Sequence, residues 1–283
     1  MRHLFLIVGA LLFFVSCYNT KKVNTSYARN RNICKELKGK ALVYMVFVDT
    51  KNNDVWTDFD ISTAFQSAGE AADWIMANAK KNNVQLDLEI KYFQSNKMRT
   101  VKQDLPSKTV NASLHFPTVG IGAYRLNRWA DKAAVAVGKK LKFPGEVGNS
   151  IIKIPKDNVE LISKLRDIYR MDNVALIYLI NNNYTNDISV ALNTVSDKKI
   201  EFGIASYKSP QVLSQLILEL FGAANLKENV YSRKRVQGPG TIWPKEIMLN
   251  VKDTLSTLEI GPVTQYLIGW KDKLDTSYTK FVH

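Results

Sequence analysis

The chain has 283 residues, 46% of them hydrophobic, with a formal net charge of +13 at pH 7, so it is large enough for one domain held by its own apolar core. Only two cysteines occur, Cys17 and Cys34, which excludes a disulfide-stapled scaffold. The basic excess either serves general solubility or favours anionic neighbours, and in the absence of an RNA- or DNA-binding motif we expect lipid head groups or acidic polysaccharide before nucleic acid.

The amino terminus is typical of an exported lipoprotein. A short basic start precedes an apolar run, Leu4 to Val15, that falls well short of the ~20 residues needed to span a hydrocarbon core. Phe14-Val15-Ser16-Cys17 resembles a lipobox, which implies cleavage before Cys17 and lipidation of that cysteine. The alternative is an ordinary signal peptide with an incidental cysteine. We expect residues 1–17 to be a lipoprotein signal, 18–39 a polar tether, and the protein to be anchored to a membrane, most simply the bacterial outer membrane.

The domain, expected over 40–283, opens strand–helix–strand. Residues 41–49 are a continuous apolar run typical of a buried strand. Apolar residues at helical spacing predict a helix over 62–81, and strict alternation over 84–93 predicts a half-buried strand. This order indicates an α/β layered fold with parallel neighbouring strands.

The middle of the chain is less regular. Residues 95–128 carry prolines and glycines, among them Gly120 and Gly122, which we interpret as a loop. Further elements are then predicted as helices over 129–141 and 158–169 and strands over 173–181, 188–194 and 199–206. No internal repeat or linker divides these elements, so the sequence predicts a single domain.

The most informative segment is 206–226. Ser209 is placed as an N-cap, Pro210 as the first helical residue, and Gly222 where a helix would end in a left-handed conformation. The residues between are apolar almost all the way round, which predicts a buried helix. Its polar residues Gln215 and Glu219 are four apart and therefore share one face.

The run from Gln215 to Asn225, QLILELFGAAN, resembles the metal-binding helix of zinc-dependent metallopeptidases of the zincin and metzincin type, His-Glu-x-x-His-x-x-Gly-x-x-His/Asp. Residues 243–250, with Met248, are similar to the methionine turn beneath the metal of metzincins. The run IGPVTQYLIGW at 260–270 is similar to a motif of secreted bacterial proteins of this kind. The resemblance implies a zincin-like domain, an α/β fold with a mixed, mostly parallel sheet and helices.

The departures from this family pattern predict that zinc-dependent peptide hydrolysis is lost. Gln215 and Glu219 stand at the two helical ligand positions, Leu216 at the general-base position and Asn225 at the third ligand position. Leucine cannot accept a proton from a bound water. Downstream of the signal the chain has only His115 and His283, so no helix can supply two histidine ligands. We therefore expect a catalytically inactive relative with no metal and no cofactor.

Two alternatives concern the remnant of the site. Oxygen atoms of Gln215, Glu219 and Asn225 suit a hard ion such as calcium. The favoured interpretation is that Gln215 and Glu219 are hydrogen-bonded inside a vestigial cleft or meet a basic partner, for which the run Arg233-Lys234-Arg235 is the candidate rim.

The functional expectation is a lipoprotein that binds a peptide, a glycan or a partner protein in the inherited groove. An extended peptide would add to the edge strand, which we expect at 188–194 or 199–206. One alternative is a structural or inhibitory component of an outer-membrane complex in which the cleft takes no part, and another is a residual metal-dependent hydrolase.

Overall fold

The computed structural model describes the following residues: 36–51, 55–95, 98–106, 108–109, 119–141, 154–181, 189–192, 202–206, 209–226 and 238–281. Cys17, Cys34 and the Arg233-Lys234-Arg235 run lie outside these ranges. Within the described ranges, no helix combines the length and apolarity that crossing a bilayer requires. The end of the predicted tether belongs to the domain, because Leu37 is fully buried and Gly39 begins a strand.

The elements, numbered here in chain order, follow one another as expected for an α/β fold. The strands are β1 (Gly39–Asp49), β2 (Leu86–Tyr92), β3 (Thr100–Lys102), β4 (Asn173–Ile180), β5 (Ser189–Leu192) and β6 (Phe202–Ala205). The α-helices are α1 (Asp58–Lys81), α2 (Val119–Lys140), α3 (Asn158–Tyr169), α4 (Pro210–Leu220), α5 (Pro239–Ile242) and α6 (Pro262–Leu267). Two 3-10 turns, Leu255–Thr257 and Thr276–Phe281, complete the described part.

The strands form one sheet in the order β2-β1-β4-β6-β5, with β3 pairing to β1 beyond the end of β2. Strands β2, β3 and β4 run parallel to β1, and β6 runs parallel to β4. Strand β5 is antiparallel to β6 and ends the order. The mixed α/β class with a mostly parallel sheet is therefore confirmed. Of the two predicted edge strands, 188–194 contains the edge β5, whereas 199–206 contains β6, which lies inside the described order.

The helices cover both faces of the sheet. Alternate residues of β1 point to opposite faces, so that Val43 packs with α1 and α4 while Leu42 packs with α2 and α3. All of Ala41 to Val48 are buried, which explains the continuous apolar run in the sequence. Helix α4, which carries the resemblance to metallopeptidases, therefore lies in the same layer as α1.

Two helices begin well before their predicted starts, whereas β1 and β2 begin within two residues of theirs. Helix α1 begins at Asp58 rather than at residue 62, because Thr57 and Asp60 form a reciprocal capping box. Its first turn presents the exposed Phe59, which broke the expected amphipathic pattern.

Helix α2 begins at Val119, ten residues before the predicted start, and contains both Gly120 and Gly122. The loop predicted there was wrong. From residue 121 to 128 only Leu126 is a buried large side chain, so this half of the helix has no apolar stripe to reveal it. The short strand β3 was also missed inside the same region.

Candidate functional site

Helix α4 forms as its sequence predicts. The Ser209 hydroxyl accepts a hydrogen bond from the Val212 N–H at 3.3 Å, and Pro210 occupies the first turn. Gly222 has a φ of 103°, the left-handed conformation expected at the end of the helix. A Cβ at Gly222 would lie 3.2 Å from the Leu267 carbonyl oxygen, so the chain turns here against the carboxyl-terminal part of the domain.

Gln215, at the first ligand position of the metallopeptidase pattern, is 8% exposed. Its side-chain Nε2 donates to the Met248 carbonyl oxygen at 3.4 Å, a long hydrogen bond. The same carbonyl oxygen accepts from the Leu226 N–H at 3.3 Å. Gln215 therefore joins α4 to the segment around Met248.

Leu216, at the general-base position, is fully buried and points to the sheet. A Cβ placed on Gly203 of β6 would lie 3.0 Å from the Leu216 side chain, so the leucine occupies space that only a glycine at this strand position leaves open. An apolar side chain packed on the sheet can neither accept a proton nor approach a substrate.

Glu219 and Asn225 stand at the other two ligand positions of the metallopeptidase pattern. Glu219 is half-buried near the end of α4, and Asn225 is exposed after the turn at Gly222. Both residues have interaction partners. Among the residues that the structure describes, no group of three or more His, Cys, Asp or Glu side chains is arranged to hold a metal ion.

Met248 is fully buried in the core that α1 and α4 share. Its backbone is held at both ends, since its carbonyl oxygen accepts from Gln215 and its N–H donates to Glu246 Oε1 at 3.3 Å. The predicted methionine turn thus corresponds to a buried turn beside α4 that is fixed by hydrogen bonds.

Glu246 is the polar centre of this region, and the sequence analysis missed it. The residue is 1% exposed. Besides the Met248 N–H, its carboxylate accepts from the Thr264 hydroxyl at 3.1 Å and from the Gly261 N–H. Burial raises the pKa of Glu246 to about 7; the three hydrogen bonds oppose that rise, and the neighbouring Glu259 carboxylate adds to it.

A signal for Glu246 does exist in the sequence. Helix α6 begins Gly261-Pro262, and a glycine N-cap has no side chain to accept from the first turn. An external acceptor is therefore needed, and a carboxylate is the favoured group at a helix amino terminus. The acceptor lies 15 residues upstream of Gly261, which is why local pattern reading did not find it.

Residues 268–270, at the end of the IGPVTQYLIGW run, contact the segment that leads into β1. Trp270 Nε1 donates to the Leu37 carbonyl oxygen at 2.7 Å, and the Leu37 N–H donates to the Ile268 carbonyl oxygen at 3.0 Å. Gly269 has a φ of 83°, and a Cβ there would lie 2.7 Å from the Glu36 side chain. These residues make structural contacts with the chain that leads into β1.

The arrangement at α4 and the Met248 turn consists of side chains engaged with one another. Gln215, Glu246 and Met248 form a hydrogen-bonded junction, and Leu216 fills space against the sheet. Such a junction stabilises the packing of α4 against the Met248 turn. No family model and no curated protein matches this chain.

Proposed function

We propose that this protein is an exported lipoprotein, anchored through Cys17, whose zincin-like domain acts by binding rather than by catalysis. The favoured ligand is an extended peptide held along the edge strand β5; a glycan or a folded partner would be the other ligands of such a groove. The proposal is supported by the α/β sheet, by its antiparallel edge strand β5 and by the buried helix α4, which comes after β5 and β6 in the chain.

One observation carries the non-catalytic part of the proposal. The two positions where a metallopeptidase helix would hold its first ligand and its general base are Gln215, bonded to Met248, and Leu216, packed on Gly203. Neither side chain can activate a water for attack on a peptide bond.

The first test is elemental analysis of the purified protein, with melting curves recorded with and without chelator. We expect no stoichiometric zinc or calcium, no effect of chelator on the melting temperature, and no cleavage of unfolded casein with added zinc. Roughly one metal ion per chain, with melting lowered by chelator, would contradict the proposal and favour the residual hydrolase.

A second test asks whether α4 has the geometry of a metal-binding helix, as its resemblance to metallopeptidases implies. The variant Gln215→His/Glu219→His introduces two histidines four apart at the ligand positions of the zincin pattern, and we expect it to bind cobalt more tightly than a matched control. The matched control is Gln66→His/Glu70→His on α1, because these exposed residues also form a glutamine–glutamate pair four apart, with 3.2 Å between Gln66 Nε2 and Glu70 Oε1. If the control binds cobalt as tightly as the α4 variant, α4 has no special geometry for metal.

The peptide-binding part is tested at β5 by two single proline substitutions, Val190→Pro and Ala191→Pro. Successive residues of an antiparallel strand point their N–H groups to opposite sides, so one proline removes a bond to β6 and the other affects only the outer edge. The variant whose melting temperature is unchanged is the one whose proline lies on the outer edge. We expect that variant to retain less immobilised casein peptide than the unsubstituted protein, at unchanged stability.

The structural or inhibitory alternative is favoured by one feature, the burial of Gln215 and Leu216 at the place where a groove would need open side chains. Unchanged peptide retention in the outer-edge proline variant would support that alternative.

A further inference from the structure

Helix α2 presents a stripe of basic side chains on its outer face. Arg125, Arg128, Lys132 and Lys139 are all exposed. At 100° per residue their side chains fall within an arc of about 60°, so they form a single row along the helix. We define the α2 stripe as these four residues.

The α2 stripe carries positive charge without compensation from its own helix. The only acidic residue of α2 is Asp131, which is turned towards α3, where it accepts from the Asn158 N–H at 3.1 Å and from Asn158 Nδ2 at 2.7 Å. Among the described residues, none of the four cations of the stripe forms an ion pair. Their charges are therefore available to an external anionic surface.

Large apolar side chains extend the stripe at its amino-terminal end. Ile121 is 56% exposed and Tyr124 is 59% exposed, and the Arg128 guanidinium lies over the Tyr124 ring, 6.0 Å from its centroid. Ile121 falls on the same row as the cations, and Tyr124 borders it. A row of cations ending in an aliphatic and an aromatic side chain suits the boundary between lipid head groups and acyl chains.

We propose that the α2 stripe docks the domain on an anionic membrane surface, with lipid phosphates against the cations and with Ile121 and Tyr124 at the level of the head groups. The row from Ile121 to Lys139 is about 27 Å long at 1.5 Å per residue, enough to contact several head groups at once. Each cation near such a surface contributes about a fivefold gain in the ratio of docked to undocked protein, and salt weakens this attraction.

This inference is independent of the α4 region, and it rests on the proposed lipid anchor only for the presence of a nearby bilayer. An acidic polysaccharide would also attract the stripe. The membrane is favoured because the exposed Ile121 and Tyr124 gain from an apolar boundary that a hydrated polysaccharide lacks.

The experiment is lysine footprinting of the full chain held in vesicles by its own amino terminus. One vesicle type contains phosphatidylcholine alone and the other includes phosphatidylglycerol. Acetylation rates of Lys132 and Lys139 are measured by mass spectrometry, with the exposed Lys245, Lys252 and Lys271 as internal controls. Flotation of the protein with vesicles of phosphatidylcholine alone tests the proposed lipid anchor separately.

We expect phosphatidylglycerol to slow acetylation of Lys132 and Lys139 several-fold at low salt, and high salt to abolish the effect. The control lysines should react equally in both vesicle types. The variant Arg125→Gln/Arg128→Gln should lower the docked-to-undocked ratio about 25-fold. A Lys245→Gln/Lys252→Gln variant, with the same net charge, should not.

Equal reactivity of Lys132 and Lys139 in the two vesicle types, in protein that floats with phosphatidylcholine vesicles, overturns the docking proposal and leaves the anchor intact. Equal protection of all five lysines would also overturn it, since it would indicate a general effect of net charge. Protection by soluble heparin but not by phosphatidylglycerol would assign the stripe to acidic polysaccharide instead.

Discussion

Glu246 should make the stability of this protein fall as the pH rises from about 4.5 to about 7. Its carboxylate is almost completely buried among the Met248 N–H, the Thr264 hydroxyl and the Gly261 N–H, and burial raises its pKa from 4.5 to about 7. The perturbation that isolates this group is Glu246→Gln, which keeps the shape and an acceptor oxygen but cannot ionise.

The magnitude follows from proton linkage. Below pH 4.5 the side chain is protonated in both the folded and unfolded states, so its contribution to stability is fully present. Between that value and about 7 the unfolded chain ionises while the folded protein keeps its proton, and stability declines. A difference of this size in pKa corresponds to about 3 kcal/mol in the free energy of unfolding, lost once the pH exceeds the folded pKa.

The assay is urea denaturation of the original protein and of the Glu246→Gln variant at several values from pH 5 to pH 8. The change in the free energy of unfolding over this range should be less negative in the variant by about 2–3 kcal/mol. The matched control is Glu259→Gln, which removes the exposed neighbouring carboxylate and should preserve most of the slope. Identical slopes in the original protein and the Glu246→Gln variant would refute the reasoning.

Three further substitutions are measured by chemical denaturation and melting temperature: one at the Glu246 junction, one on α1, and one at the contact between Trp270 and Leu37. Gly261→Ala would place a Cβ 2.1 Å from Glu246 Oε2, and we expect a loss of about 3 kcal/mol; unchanged stability would show that the junction can open without cost. Gly69→Ala, on α1 with nothing within 4 Å of the added Cβ, is the opposite case and should stabilise by roughly 0.5–1 kcal/mol. Trp270→Phe leaves the buried Leu37 carbonyl without its 2.7 Å bond and should cost about 2 kcal/mol; no change would assign Trp270 a packing role only.

The parts of the fold that the sequence predicts well are those whose signals are local. Helix α3 has the predicted bounds, and α4 has the predicted N-cap, first-turn proline and terminal glycine because each of these is a short-range backbone requirement. Strands β1 and β4 were found because both faces of each are covered by helices, which makes residues 41–48 and 174–180 continuously apolar.

Two of the failures have clear physical causes: the first half of α2 has a solvated face, and the partners of Glu246 are distant in sequence. The first half of α2 buries only Leu126 among its large side chains from residue 121 to 128, so its sequence has no apolar period. Glu246 is defined by Gly261 and Thr264, 15 and 18 residues away, and single-sequence patterns do not reach that far.

The junction around Glu246 holds together the segments that resemble metallopeptidase motifs. The Met248 turn and the start of α6 are bound to each other through Glu246, and Gln215 ties α4 to the same turn. Gln215 contributes one polar contact to Met248, whereas replacing Glu246 would remove three hydrogen bonds at once. We therefore expect Glu246, Gly261 and Thr264 to serve the stability of the domain.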